Sequence, residues 1–212
     1  MKVLSVNIGN REKLSRIGGG SVTSGINKKP VLDAVEVDEL GLRDDAICDR
    51  KHHGGPDQAV YLYRQEDYDF WTAELGYTVE PGTFGENLTL QGLPTPGLAV
   101  GDEIVLPDLR LQVAAPRIPC NTLAAKMNDK LFAKKFTRAQ RPGIYCRVVT
   151  PGTVTAGDVF IVNDYAGDRV DTVQFFNDWL RKLPATEIKR YLAIPIDIRS
   201  RVAWEKQLSK SG

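Results

Sequence analysis

The chain of 212 residues is poor in the residues that build metal clusters and disulfide frameworks, with three Cys and two His. None of the cysteines falls in a Cys-x-x-Cys pair, and three thiolates cannot complete an ordinary four-thiolate iron–sulfur cluster. A long apolar run is also missing, because no stretch approaches the roughly 18 residues that a membrane helix needs. We therefore predict neither a disulfide scaffold nor a membrane protein.

An excess of positive charge is absent as well. Lys and Arg together number 28 against 27 Asp and Glu, which gives a net charge of +1. No basic field then favours nucleic acid or an anionic membrane surface as a partner. The first nine residues alternate apolar and polar side chains, which is typical of a strand rather than a signal peptide, so we expect a cytoplasmic protein.

Up to about residue 162 the sequence carries mainly the pattern of β-strands. Short segments rich in β-branched residues are bounded by Gly, Pro or Asp, as at 31–37, 104–106, 109–113, 144–149 and 159–162. Many short strands with turn signals between them predict a mainly β fold, either a barrel or a sandwich.

Two helical insertions interrupt the β pattern. Residues 64–75 place Tyr68 and Trp71 on one face, and Gly76 is positioned to end that helix. The spacing of apolar residues predicts a second helix over 122–138.

The end of the chain carries the apolar spacing of helices instead of strands. Helical apolar spacing recurs three times, with Pro184 and Pro195 between the repeats. We therefore divide the chain into a β domain, 1–165, and a small helical subdomain, 166–212.

The segment from Pro116 to Cys120 places one cysteine on a stiff turn, directly after an alternating strand. Two prolines restrict the backbone, and Arg117 favours the thiolate, the form of cysteine that ligates metals. A helix beginning just after Cys120 would favour a negative sulfur further. We interpret Cys120 as a metal-ligating thiolate, while an inert buried cysteine is the alternative.

Residues 49–60 contain both histidines of the chain. Gly54 and Gly55 let backbone N–H groups approach an anion closely, and Arg50 adds positive charge beside them, which favours an anion-binding loop.

Two other interpretations of this segment stay open. Cys48, His52, His53 and Cys120 could hold zinc, although adjacent histidines on an extended chain point to opposite sides. A purely structural role for both histidines is the other alternative.

A third polar segment, 82–90, combines two glycines with Glu86 and Asn87. The Asn87 amide can donate to and accept from a heterocycle edge, and Glu86 can accept from ring N–H groups. A tight loop in which Asn87 satisfies its own backbone is the alternative.

In chain order, these segments form a set that resembles the MOSC domain, named for the C-terminal domain of molybdenum cofactor sulfurase. The segments that carry the resemblance are 23–31, 52–60, 84–88, 100–102 and 116–120. The resemblance extends over about residues 20–162, and the chain from Val173 onward is similar to the helical region of YiiM-like members.

The resemblance implies a strongly curved, mostly antiparallel, barrel-like β core and a molybdenum cofactor whose metal is ligated by Cys120. It makes candidate cofactor contacts of Ser24, Arg50, His52, His53, Gly54, Gly55, Phe84, Gly85, Glu86, Asn87 and Arg117. Two positions depart from the family pattern, because Asp44 stands where glycine is usual and Ile144 where tryptophan is common. An Asp44 carboxylate facing a phosphate would repel it, so we expect this side chain to face solvent.

The function implied is that of an oxidoreductase that reduces N-hydroxylated compounds, such as hydroxylamino-purines, to amines and water. His52 or His53 would supply the proton, because histidine titrates near neutral pH. The electrons would come from an external donor protein, and the chain would be a monomer or a dimer. A cofactor carrier or a sulfur relay through a Cys120 persulfide is the alternative, and a β domain with a decayed site is a third.

Overall fold

The computed structural model describes residues 1–49, 52–93 and 97–210. The strands in these ranges are β1 Lys2–Gly9, β2 Glu12–Ser15, β3 Ser21–Ser24, β4 Lys28–Val31, β5 Val35–Asp38, β6 Gly41–Leu42, β7 Val60–Arg64, β8 Leu88–Gln91, β9 Glu103–Val105, β10 Arg110–Pro116, β11 Ile144–Thr150, β12 Gly152–Val154 and β13 Ile161–Asn163. The helices are α1 Gln65–Leu75, α2 Asn121–Lys126, α3 Phe132–Ala139, α4 Thr172–Trp179, α5 Ala185–Leu192 and α6 Ile198–Ser209, with a 3-10 turn at Pro56–Gln58.

Eight strands form the main sheet in the order β13-β9-β10-β11-β7-β8-β1-β4. The β7–β8 pair is parallel and the other pairs are antiparallel, so the fold is mixed and dominated by its sheet. Register shifts in β1 and β10 mark irregularities of the kind that bend a strand. Within the described ranges no ladder joins the edge strands β4 and β13, and the predicted barrel is therefore not confirmed.

Three clusters of buried side chains make up the core. The first packs the aliphatic faces of the main sheet against β5, β6 and β12. The second is aromatic: Trp71 of α1 stacks on Phe136 of α3 at 5.8 Å between ring centroids, and Phe84 lies 5.7 Å from Trp71. This second cluster fixes the loops that precede β8 and follow β10, which are the loops that carry the candidate site.

The structure confirms one inserted helix and corrects the other. Gly76 caps α1 with φ at 74°, a left-handed conformation that glycine adopts without strain. The helix predicted over 122–138 is instead two helices, α2 and α3, because the backbone turns at Asn128, where φ is 47°. Among the described residues, no helix is both long and apolar enough to cross a bilayer.

The three C-terminal helices form as the sequence predicts, and they pack onto the sheet. Their cluster is centred on Trp204 and Tyr191, whose ring centroids lie 4.4 Å apart, and it includes Val100 and Ala115 from the β region. Contacts also join α4 to β10, the strand that leads to Cys120. The helices therefore cover one side of the candidate site, and the division at residue 165 stays a prediction.

Asp102 ties the helical segment to the sheet. Its carboxylate is 1% exposed and accepts two hydrogen bonds from the Arg169 guanidinium, at 2.8 and 3.0 Å. The backbone N–H groups of Ala99 and Tyr165 donate to the same carboxylate, each at 2.8 Å. The Val100-Gly101-Asp102 motif therefore has a structural role here.

We expect Asp102→Asn to lower the free energy of unfolding by about 2 to 3 kcal/mol, because it leaves buried donors poorly paired. Asp164→Asn is the matched control, since Asp164 pairs with the same guanidinium at 2.9 Å but its side chain is 76% exposed. That control should cost less than about 0.5 kcal/mol. Urea unfolding of both variants measures the difference, and equal costs would contradict this account of Asp102.

Candidate functional site

A cleft opens between the loops that follow β3, β6 and β10, with Cys120 in its wall. Aromatic side chains, glycine backbone and a few polar groups make up its lining. The lining residues are Val22, Thr23, Ser24, Gly25, Ile26, Lys28, Asp45, Ala46, Ile47, Cys48, Asp49, His53, Gly54, Gln58, Ala59, Tyr61, Phe84, Gly85, Asn87, Arg117, Cys120, Thr122 and Tyr145. The segments that were far apart in the sequence therefore meet here.

Cys120 is half-buried at the N-cap position of α2, at the end of the stiff turn that follows β10. Burial by itself raises the pKa of its thiol. A hydrogen bond from His53, together with the charge and hydrogen bond of Arg117, outweighs burial and lowers the pKa of Cys120 to about 5. The Arg117 Nη2 donor lies 3.4 Å from the sulfur. Cys120 is therefore a thiolate at neutral pH.

Arg117 is held rigidly enough to act as a permanent partner of this thiolate. It is 5% exposed, and its guanidinium lies 5.7 Å from the ring centroid of Tyr61 and 6.0 Å from that of Tyr145. A hydrogen bond from its side chain to the Ile118 carbonyl fixes the turn further. Contact with aromatic faces and a backbone carbonyl restricts the charge to one position beside the sulfur.

The two histidines lie in a turn, in which the His53 N–H donates to the Asp49 carbonyl at 2.8 Å, and their side chains occupy different surroundings. His53 lines the cleft together with Cys120, lowers the pKa of that thiol, and places its Nδ1 atom 3.3 Å from the Tyr145 hydroxyl. His52 pairs with Asp49 at 2.9 Å, its side chain is 65% exposed, and it lies outside the cleft lining. The candidate contact Arg50 lies outside the described residues.

The glycines predicted as contacts shape the cleft wall. A Cβ added at Gly54, where φ is 78°, would lie 2.8 Å from Ile47 Cγ2. A Cβ added at Gly85, where φ is 81°, would lie 2.9 Å from Ile26 Cγ1. Side chains at either position would therefore strain or displace the wall. Gly55 is exposed and lies outside the cleft lining.

Glu86 is buried in the loop that precedes β8. Its side chain is fully buried and lies outside the cleft lining. Its Oε1 atom accepts hydrogen bonds from the Tyr68 hydroxyl at 2.5 Å, the Gly82 N–H at 2.7 Å and the Thr89 hydroxyl at 2.8 Å. The carboxylate is enclosed by the loop it stabilises, and contact of Glu86 with ring N–H groups of a cofactor stays a prediction.

Three other predicted contacts do reach the cleft. Asn87 is only 4% exposed, and its amide already accepts from the Tyr61 N–H at 3.1 Å and donates to Asp45 at 3.0 Å. Phe84 is 1% exposed and belongs to the aromatic cluster. Ser24 accepts from the Ile26 N–H through its hydroxyl at 3.2 Å. All three residues line the cleft, and the hydrogen bonds of Asn87 and Ser24 and the packing of Phe84 hold its wall in place.

Several cleft residues were missed by sequence reasoning. Lys28 forms a buried ion pair with Asp45, and burial lowers the pKa of Lys28 although Asp45 opposes this change. The Tyr145 hydroxyl contacts His53 in the cleft. Neighbouring residues of a strand point to opposite faces, so the alternation in β11, where Cys146 faces the core, indicates that Tyr145 faces the other side. The Lys28–Asp45 pair leaves no comparable signal, since Lys28 begins β4 and Asp45 lies in the loop after β6.

The geometry does not support a zinc site formed by Cys48, His52, His53 and Cys120. Within the described residues, no group of three or more His, Cys, Asp or Glu side chains is placed to hold a metal ion. Cys120 supplies a single thiolate instead, with nitrogen donors on two sides.

A family model described as the MOSC domain matches residues 49–160. The chain belongs to the MOSC domain family. This MOSC chain is 35% identical to the YflK protein of Bacillus subtilis over 82% of its own length and 78% of that protein. It is 33% identical to YiiM of Escherichia coli, over 63% of its own length and 61% of that protein.

A solved structure and a third protein are also similar to this chain. The crystal structure of YiiM from Geobacillus stearothermophilus matches with a TM-score of 0.81 and 25% identity, covering 98% of both chains. A protein named "Reductase" from Gibberella moniliformis is 32% identical over 66% of this chain and 26% of that protein. The chain is therefore a YiiM-like member of the MOSC family.

Asp44, where the resemblance led us to expect glycine, has a backbone conformation that glycine adopts without strain. The φ angle of Asp44 is 65°, in the left-handed region that glycine favours and that aspartate tolerates. Its side chain is exposed, in agreement with the expectation that it faces solvent.

MOSC domains are associated with molybdenum cofactor sulfurases, and the cleft residues fit such a cofactor. A soft, anionic sulfur is available at Cys120, and a dithiolene-bound molybdenum accepts a thiolate. Arg117 and His53 supply cationic or N–H donors beside it. Asp45, one of the carboxylates in the cleft lining, is paired with Lys28, which offsets its negative charge.

Proposed function

We propose that this MOSC chain holds a molybdenum cofactor through Cys120 and reduces N-hydroxylated compounds, such as hydroxylamino-purines, with electrons from an external donor protein. The observation that carries the proposal is the half-buried Cys120 thiolate, fixed between Arg117 and His53 in the cleft wall. The likeness to YiiM and to a protein named as a reductase supports an oxidoreductase.

The bound cofactor would supply two-electron chemistry at the metal. The chain's own contribution is to present Cys120 as a thiolate without requiring deprotonation during cofactor binding. Arg117 keeps the sulfur anionic and oriented, because its guanidinium is itself restrained by Tyr61 and Tyr145. A ligand held by such neighbours keeps one geometry through the reaction.

His53 is the proton donor that the geometry favours, rather than His52. It lies beside Cys120 and shares a hydrogen bond with the Tyr145 hydroxyl. The departing N–OH oxygen requires protonation to leave as water. His52 pairs with Asp49 and lies outside the cleft lining.

Metal content and turnover together test the proposal. The full chain is expressed in a host that makes the cofactor and purified without chelators, and molybdenum is counted per chain. We expect near-stoichiometric molybdenum, a loss of at least about tenfold in Cys120→Ser, and little change in Cys48→Ser, the matched control whose cysteine also lines the cleft. Reduced viologen should then drive conversion of a hydroxylamino-purine to the amine.

Other outcomes separate the alternatives. Stoichiometric molybdenum without viologen-driven turnover would indicate a cofactor carrier. Metal-free protein with a cyanide-releasable sulfur on Cys120 would indicate a sulfur relay. Either result would overturn the reductase.

A further inference from the structure

The first turn of α6 lies against the turn that carries His53. The Arg199 guanidinium donates through Nη1 to the His52 carbonyl and through Nη2 to the Gly54 carbonyl, each at 3.0 Å. It also donates to the Gln58 side chain. One guanidinium therefore binds the backbone carbonyls of both residues that flank His53.

A second set of contacts joins the same two segments. Asp57 Oδ2 accepts from the Ile198 N–H at 2.7 Å, and Asp57 Oδ1 pairs with Arg147 of β11 at 2.8 Å. Arg147 also donates to the Ile196 carbonyl at 3.2 Å. The start of α6 is thus anchored to the main sheet, and Arg199 extends from a fixed base.

The turn that carries His53 needs such a restraint, because its backbone is permissive. Gly54 and Gly55 follow directly, with φ angles of 78° and 87°, and glycine adopts either sign of φ readily. The contact between the His53 Nδ1 atom and the Tyr145 hydroxyl is 3.3 Å, which is long for a hydrogen bond. The side chain alone is therefore weakly held, and the contacts of Arg199 fix the backbone that aims it.

An arginine suits this task. Its planar fork can donate to two carbonyls at once, and hydrogen bonds from a charged donor are stronger than neutral ones. The helix α6 also lies outside residues 49–160, which the MOSC model matches, whereas His53 lies inside them. The helical segment therefore supplies a contact to the MOSC region that the matched residues do not contain.

We propose that Arg199 is a positioning residue, which holds the turn so that the His53 imidazole stays in the cleft beside Cys120. The C-terminal helices then have a definite task, which is to aim the proposed proton donor. The inference rests on the proposed function for the reaction. The placement of His53 itself is measurable without turnover.

Proton NMR of the full chain measures this placement. The chain has two histidines, so His52→Gln assigns their ring signals. In the wild type a nuclear Overhauser effect (NOE) should join the rings of His53 and Tyr145, whose polar atoms lie 3.3 Å apart. Arg199→Gln should remove most of this NOE, because the turn is then free to re-aim the imidazole.

Arg201→Gln is the matched control. Arg201 lies on the same helix, is half-buried like Arg199, and also donates to two backbone carbonyls, those of Leu192 at 2.9 Å and Ile194 at 3.1 Å. Each variant loses two carbonyl contacts, so their thermal midpoints should fall by similar amounts. Only Arg199→Gln should lose the NOE.

Turnover gives a second readout on protein from a cofactor-making host. Arg199→Gln should lower kcat for the hydroxylamino-purine by on the order of 10- to 100-fold with little change in KM, because a misplaced acid loses its contribution to the chemical step. Arg199→Lys keeps the charge without the planar fork and should retain part of both the NOE and kcat. It tests the role if Arg199→Gln is unstable.

The inference is overturned if the wild type shows no NOE between the two rings. It is also overturned if Arg199→Gln, or Arg199→Lys where only that variant folds, keeps the wild-type NOE or the wild-type kcat. Molybdenum-dependent turnover that is unchanged in these variants sinks only the positioning role. An Arg199-dependent NOE in a protein that lacks molybdenum and turnover sinks only the reductase.

Discussion

In cofactor-free protein, Cys120 is expected to react with iodoacetamide at pH 6 almost as fast as at pH 8. The pKa of about 5 makes the sulfur predominantly thiolate throughout this range. An ordinary thiol with a pKa near 8.5 is only about 0.3% thiolate at pH 6. At this pH Cys120 should therefore react on the order of a hundredfold faster than an ordinary thiol, before the lower nucleophilicity of an acidic thiol is counted. Mass spectrometry of the alkylated peptide measures the rate at this one site.

The arginine beside the sulfur should account for much of this effect. Arg117→Gln removes the charge and should move the midpoint of the pH profile upward, toward that of an ordinary thiol, whereas Arg117→Lys should move it less. Arg141→Gln is the matched control, because Arg141 pairs with Asp67 away from the cleft. A wild-type profile with its midpoint near pH 8.5 would contradict the thiolate on which the proposed function depends.

The lowered pKa of Cys120 also determines whether the stability of the fold rises or falls with pH. The pKa of Cys120 is lower in the folded protein than in the unfolded chain, so the thiolate stabilises the fold above the unfolded value. That contribution is lost as pH falls from about 8.5 toward about 5. The difference in unfolding free energy between wild type and Cys120→Ser should therefore narrow over this window.

Glu86→Ala is expected to lower the free energy of unfolding by roughly 3 to 5 kcal/mol, the largest stability effect predicted here. The substitution removes one acceptor from the Tyr68 hydroxyl, the Gly82 N–H and the Thr89 hydroxyl, all of them at buried contacts. It also leaves a small cavity beside the aromatic cluster. Urea unfolding measures the loss.

Two further variants serve as controls for Glu86→Ala. Glu80→Ala changes an exposed carboxylate of the same loop and should cost less than about 0.5 kcal/mol. Glu86→Gln keeps an acceptor oxygen and should retain most of the bound molybdenum if Glu86 acts only through the loop. An unfolding loss below 1 kcal/mol for Glu86→Ala would show that its hydrogen bonds are not structural.

Local sequence patterns predicted the elements of this fold well, and long-range pairing less well. The strands at 144–149 and 109–113, the helix ending at Gly76 and the three C-terminal helices follow from periodicity and from breakers within a few residues. Closure of a barrel depends on whether β4 and β13 pair, and those strands lie more than 100 residues apart. The break at Asn128 was missed because neighbouring apolar spacing continued the helical pattern across it.

The sequence by itself determined which chemistry is available: a cysteine on a proline-stiffened turn beside Arg117, two histidines near paired glycines, and no second thiolate in register for a cluster. Only the tertiary structure decided how those groups are used. It placed His53 in the lining of the cleft with Cys120 and left His52 outside that lining, and it enclosed Glu86 in hydrogen bonds from Tyr68, Gly82 and Thr89. The reason is physical, because burial and hydrogen-bond partners depend on contacts between distant segments, which local spacing does not record.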